Sequence, residues 1–167
     1  MNRTRQGLLA GAARAFADAG VRRSTMQSIA AAAGVSKATL YNHFRTKDEV
    51  AAELLETELA RLTALAAGLP PDRALAALSD ELGAHPVLRR LAVSEPELLS
   101  GLLTVGAERW GDLVGRLAGA LGVDVDEAEL AGRWLVGVVL QPGRSLTRHR
   151  HAARLAALLF AGSAAAQ

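Results

Sequence analysis

STMQSIAAAAGVSKATLYNHFRTK, residues 24–47, is the stretch that decides the fold. Two short helices crossing steeply over a tight turn need a small residue where they meet. They also need a turn residue that tolerates positive φ, and apolar side chains that pin both helices to a support. Ala30 is the small residue, Gly34 the turn residue, and Ile29, Ala33, Val35 and Leu40 the pins. Ser36 stands where it can cap the second helix. The spacing predicts helices over about 25–32 and 36–44 around Ala33-Gly34-Val35, a helix-turn-helix. The outward face of the second helix carries Lys37, Ala38, Thr39, Tyr41, Asn42 and His43. These are short or polar groups that suit a major groove and its flanking phosphates.

Upstream, Leu9, Ala12, Ala13, Phe16 and Ala17 recur at helical spacing, which predicts a supporting helix over 3–19 ended by Gly20. Arg3 and Arg5 ahead of an apolar run resemble a secretory signal, but Arg14 interrupts that run and Asp18 closes it. Charge is unevenly spread. Residues 1–50 hold eight Lys/Arg against three Asp/Glu, and residues 51–167 hold eleven against fourteen. A basic head on a mildly acidic body points to a polyanionic partner for the head. Both lysines of the chain, Lys37 and Lys47, lie in the head. Lys47 opens a helix, where a positive charge is unfavourable for the helix dipole, and phosphate contact is a reason for it to be there.

Downstream, glycine and proline cut the chain into further helices over 47–67, 72–83, 86–93, 96–120, 126–140 and 145–161, with no strand pattern. Pro86 and Pro96 suit first-turn positions. Asp124 or Asp126 can cap the helix over 126–140. An alanine-rich tail follows from Ala161. The expected fold is all-α with about nine helices: a three-helix head over 1–46 and an antiparallel helical bundle over 47–167.

The head resembles the tetracycline-repressor (TetR) family. Phe16, Gly20, Thr25, Ile29-Ala30, Ala33-Gly34-Val35-Ser36, Thr39-Leu40-Tyr41, His43-Phe44 and Lys47 carry the resemblance, unbroken over roughly residues 5–55. Ala38 stands where the family often has glycine, and alanine is also small. The resemblance implies a DNA-binding transcriptional regulator. It would be a homodimeric repressor that sets two copies of helix 36–44 in successive major grooves of a pseudo-palindromic double-stranded operator. A small-molecule effector would release it. The DNA-binding residues on this reading are Thr25, Ser36, Lys37, Ala38, Thr39, Tyr41, Asn42, His43 and Lys47. Tyr41 is expected at the surface with its hydroxyl on a phosphate, while His43 either meets a phosphate or packs locally.

Residues 56–167 match that family only in architecture, with the last two helices as dimer interface. Leu130, Trp134, Val138, Leu155, Leu158 and Leu159 supply the apolar surface, and Gly132 and Gly137 permit close approach. A largely apolar effector is expected between the helices over 47–67, 96–120 and 126–140. Its walls would be Leu59, Leu62, Leu103, Trp110, Trp134 and Val138, with His85, Thr104 and Gln141 as polar anchors. Trp110 and Trp134 read equally well as core.

Other chemistry finds no support in the sequence. Cysteine is absent, which excludes disulfides and thiolate metal sites and suits a reducing cytoplasm. His149 and His151 diverge on a helix, so no metal pair is expected. No nucleophile triad, phosphate-cradling loop or close carboxylate pair is evident, so neither catalysis nor a cofactor is expected. No uninterrupted apolar run approaches the roughly 20 residues needed to span a bilayer. The basic run Arg144, Arg148, His149, Arg150, His151 and Arg154 reads as a solvated face or a subunit contact. A rival reading keeps the fold but makes the protein a helical protein-interaction regulator without a small-molecule inducer.

Overall fold

The structure, a computed structural model, describes residues 2–159. The alanine-rich tail from Ala161 and the end of the last expected helix lie outside the described residues. Every regular element among the described residues is a helix. They are α1 (Asn2–Ala19), α2 (Met26–Ala33), α3 (Lys37–Tyr41), α4 (Lys47–Ala66), α5 (Pro71–Ala84), α6 (Pro86–Ser94), α7 (Pro96–Leu103), α8 (Ala107–Leu121), α9 (Val125–Leu140) and α10 (Ser145–Leu159).

Two compact units result. The first comprises residues 1–59 and 86–99. In it α1 packs on α2 and α6, and α2 packs on α3. Leu8, Phe16, Ile29, Leu40, Val50 and Leu91 are its largest fully buried side chains. The expected head boundary at 46/47 falls inside this unit, which takes in the start of α4 and all of α6. Packing of α6 against α1 is the reason, and sequence periodicity does not carry that information.

The second unit comprises residues 60–85 and 100–167. α10 lies along α5, and α9 packs on α5 and α8. Leu75, Leu78, Leu121, Ala131, Leu135, Ala152 and Ala156 form its main core, with Leu62, Trp134, Leu155 and Leu159 packed at the edge. A smaller cluster joins Val114, Ala118 and Ala128 with Trp110 and Leu117. Burying such small and branched groups stabilises by about 25 cal/mol per Å² of apolar surface removed from water.

The single helix expected over 96–120 is instead two, separated at Thr104-Val105-Gly106. Gly106 sits in extended backbone (φ −64°, ψ 160°) as the cap of α8. Leu103 and Trp110 therefore belong to different helices and share no face. The apolar stripe persists through the break, which is why it read as continuous. Asp124, rather than Asp126, caps α9: its carboxylate accepts from Glu127 N at 2.8 Å, and Glu127 answers in a capping box.

Candidate nucleic-acid interface

Caps and one left-handed glycine build the reader. Thr25 opens α2 with its hydroxyl accepting from Ser28 N, and Ser28 Oγ accepts from Thr25 N, closing a capping box. α2 ends at Gly34, whose φ of +70° is a left-handed conformation that costs a side chain free energy. Its N–H bonds back to the last carbonyls of α2. Ser36 then starts α3 by accepting from Thr39 N at 3.1 Å. Ile29, Ala30, Leu40 and Phe44 are buried beneath.

The expected reading face divides accordingly. Ser36, Lys37, Ala38, Tyr41 and Asn42 are exposed, and Thr39 is half-buried with its hydroxyl 2.9 Å from Ser36 Oγ. Thr25 is also exposed. Lys37 Nζ lies 5.7 Å from the centre of the Tyr41 ring, a cation–π contact that steadies both long side chains. His43 is half-buried and lines an open depression of about 490 Å³ with Arg5, Phe44, Ala52 and three glutamates, Glu49, Glu53 and Glu56. That acidic neighbourhood disfavours a phosphate on this side of His43.

Lys47 is engaged within the protein. Its Nζ donates to Val21 O at 2.7 Å and to Arg22 O at 3.1 Å, on the turn between α1 and α2. The same turn meets a buried carboxylate from the α6–α7 corner: Glu95 accepts from Arg22 N at 3.1 and 3.2 Å. A cationic residue at the start of α4 thus has a structural partner that its position in the sequence does not reveal.

Other supports of the reader were also hidden in the sequence. Arg14 donates to Ala32 O at 2.7 Å and so satisfies a carbonyl in the last turn of α2. Arg5 lies over the Phe44 ring, 4.6 Å from its centre, and is bidentate to Glu53. These bonds hold the Glu53 carboxyl below the usual carboxylate range and raise Arg5 further. Gly11 lets α1 and α2 touch: a Cβ there would come within 2.6 Å of Ala33 N. A glycine inside an otherwise good helix was the one signal that could have marked it.

The expected effector residues fall in both units, and Leu62 and Trp134 pack against the same core. Leu59 falls in the first unit and Leu62 in the second. Trp134 packs on the main core, and Val138 is buried. Trp110 fills the α8–α9 contact: its ring lies against Gly132, its N–H donates to Glu129 at 3.3 Å, and Arg133 covers its face. Those bonds from Arg133 and Trp110 lower the Glu129 carboxyl pKa. Leu103 ends α7 half-buried, His85 terminates α5, and Thr104 and Gln141 are exposed. No helix among the described residues is long and apolar enough to cross a membrane, and no group of three or more potential ligands could hold a metal there.

Residues 8–54 match the model of the bacterial regulatory proteins of the tetR family. Over 166 aligned residues the chain is 31% identical to the HTH-type transcriptional regulator TcmR of Streptomyces glaucescens, covering 89% of this chain and 73% of that one. The chain belongs to the tetR family. This tetR-family transcriptional regulator is also 44% identical over 55 residues to the HTH-type transcriptional repressor KstR2 of Mycobacterium tuberculosis, covering 33% of this chain and 28% of that one. Its fold matches a tetR-family regulator of Mesorhizobium loti with a TM-score of 0.64 at 18% identity, over 96% of each chain.

Proposed function

We propose that this tetR-family regulator is a repressor that binds a pseudo-palindromic DNA operator as a homodimer and leaves it when a small, largely apolar effector binds the helical body. The observation that carries the reading is the exposed face of α3, shorter than the expected 36–44, with Lys37, Ala38 and Tyr41 on the helix and Asn42 at its C-cap, all presented on a capped, buried support. Base-edge contacts fall to Ala38, Thr39 and Asn42, with phosphate contacts from Thr25, Ser36, Lys37 and Tyr41. Lys47 acts mainly on the α1–α2 turn and adds its charge to the phosphate field, while His43 bounds the footprint.

For the dimer, the exposed apolar residues Leu130 and Leu140 on α9 and Leu146 and Leu158 on α10 are the natural seam. Gly137 lies one turn before Leu140 on the same stripe of α9 and leaves room for a close approach. Trp134, Val138, Leu155 and Leu159, first expected there, serve the monomer core or its edge. The proposed effector walls within the second unit are Leu62, Leu103, Trp110, Trp134 and Val138, with His85, Thr104 and Gln141 as the polar candidates.

The test is sequencing of genomic fragments retained by the purified protein, followed by mobility shift at several salt concentrations. Specific, salt-sensitive retention of a pseudo-palindrome is expected, and Asn42→Ala should change base preference within it. Absence of any retained sequence would defeat the reading. Operator release and tryptophan fluorescence, followed together over a panel of apolar metabolites, test the effector.

A further inference from the structure

The Val21–Arg22 peptide group lies between opposite charges. Its N–H donates to the Glu95 carboxylate at 3.1 and 3.2 Å, and its carbonyl accepts from Lys47 Nζ at 2.7 Å. No peptide bond among the described residues is cis, so N–H and C=O point to opposite sides and the peptide dipole runs from ammonium to carboxylate. Each charge polarises the same dipole in the same sense, so the two bonds strengthen one another.

The backbone that carries the carboxylate is anchored on both sides. Glu95 is buried, its N–H continues α6 to Leu91 O, and its carbonyl accepts from Leu98 and Leu99 to begin α7. Gly20, at φ +86°, leaves the space that its carboxyl fills. The turn so gripped ends at buried Ser24, whose hydroxyl donates to Gly20 O at 2.6 Å, and the next residue is Thr25, the cap of α2.

We infer that Glu95 is a positioning residue for DNA recognition, fixing through the Val21–Arg22 peptide the turn from which α2 and the reading helix α3 extend. A buried carboxylate is strongly disfavoured without such partners. Recognition groups must be held to within roughly half an ångström to act. The inference rests on the proposed DNA-binding role of the head.

The experiment measures operator affinity by anisotropy, folded fraction by thermal melting, and exchange of the Arg22 amide proton by NMR, all on the whole protein. Glu95→Ala should weaken operator binding about tenfold while remaining folded, consistent with loss of a charge-assisted hydrogen bond. Glu95→Gln keeps an acceptor but not the charge, so it should retain most of the affinity while the weaker bond lets the Arg22 amide exchange faster. The salt slope should not change, because no phosphate contact is lost. Glu95→Ala should cost less in a Lys47→Ala background than in wild type, because one peptide joins the two. Wild-type affinity in Glu95→Ala overturns the inference. So does a loss that tracks the folded fraction, or one that is equal in both backgrounds. If Glu95→Ala does not fold, Glu95→Gln decides: faster exchange at Arg22 supports the clamp, and unchanged protection overturns it. Wild-type protein that binds no DNA would sink the proposed function, while the exchange measurement would still judge the clamp.

Discussion

Lys37 and Lys47 carry the same charge in different settings, and mutation should separate them. Lys37 is exposed on α3 beside Tyr41, so Lys37→Ala should leave the melting temperature within about a degree. It should flatten the log–log salt dependence of DNA binding by about one unit. Lys47 bonds two carbonyls of the α1–α2 turn, so Lys47→Ala should lower the melting temperature by several degrees and weaken all sequences alike. Melting curves paired with anisotropy titrations at several salt concentrations check both; an unchanged melting temperature in Lys47→Ala would remove its structural role. Gly11 gives a second prediction at this scale. An alanine Cβ would lie within 2.5 Å of Ala33 Cα, a backbone neighbour that can yield only if α2 moves. Gly11→Ala should destabilise by about 1–3 kcal/mol in chemical denaturation, despite alanine's better helix propensity. A neutral or stabilising result would show that the α1–α2 approach is loose.

Among the elements, α5 and α10 are joined by one carboxylate. Asp80 accepts from Ser145 Oγ at 2.7 Å and Arg148 Nη2 at 2.7 Å, and His149 Nε2 lies within hydrogen-bond reach. Arg148 also donates to Pro142 O at 2.7 Å, and its guanidinium occupies the space left by Gly83. Part of the basic run expected as a solvated face is therefore an anchor that starts α10. Burial pushes the Asp80 carboxyl upward, but the bonds from Ser145, His149 and Arg148 outweigh it and hold the pKa at about 2. A pKa below the unfolded value means stability that is present above about pH 4 and lost as pH falls toward 2. The Asp80 side chain is 40% exposed, so solvent screening reduces this to on the order of 1 kcal/mol. Asp80→Asn should melt lower than wild type at pH 7, and the gap should narrow below about pH 4 and close as pH falls through about 2. A gap independent of pH would mean that packing, not charge, joins α5 to α10.

For the whole molecule, the question is which apolar residues remain after the monomer has packed. Leu130 and Leu158 are 53% and 82% exposed, whereas Val138 is 5% exposed and serves the core. The double variant Leu130→Asp, Leu158→Asp should be monomeric by light scattering at micromolar concentration and keep its helical content. Its operator affinity should fall by about two orders of magnitude, since each head then binds its half-site without the effective concentration that a dimer supplies. A dimeric variant would place the seam elsewhere.

The reader was legible because its determinants are local. Thr25 with Ser28, Gly34 at positive φ, and Ser36 with Thr39 all act within four residues of one another, so spacing alone determined the helix-turn-helix. Helix starts at Pro86, Pro96 and Asp124 follow the same rule. The break at Gly106 escaped because apolar periodicity continues across it, and periodicity does not register a change of backbone direction. Sequence alone therefore determined an all-helical regulator and the helix-turn-helix with its exposed face. Tertiary structure decided what holds that face in place: Glu95 reaches Arg22 across 73 positions, Asp80 reaches Arg148 across 68, and Lys47 closes on Val21 across 26. Each is a charge whose partner is a backbone group or side chain brought near only by packing. A linear sequence specifies the charge and not its neighbour, so these bonds, and the separation of core from free leucines on α9 and α10, arise only in the folded chain.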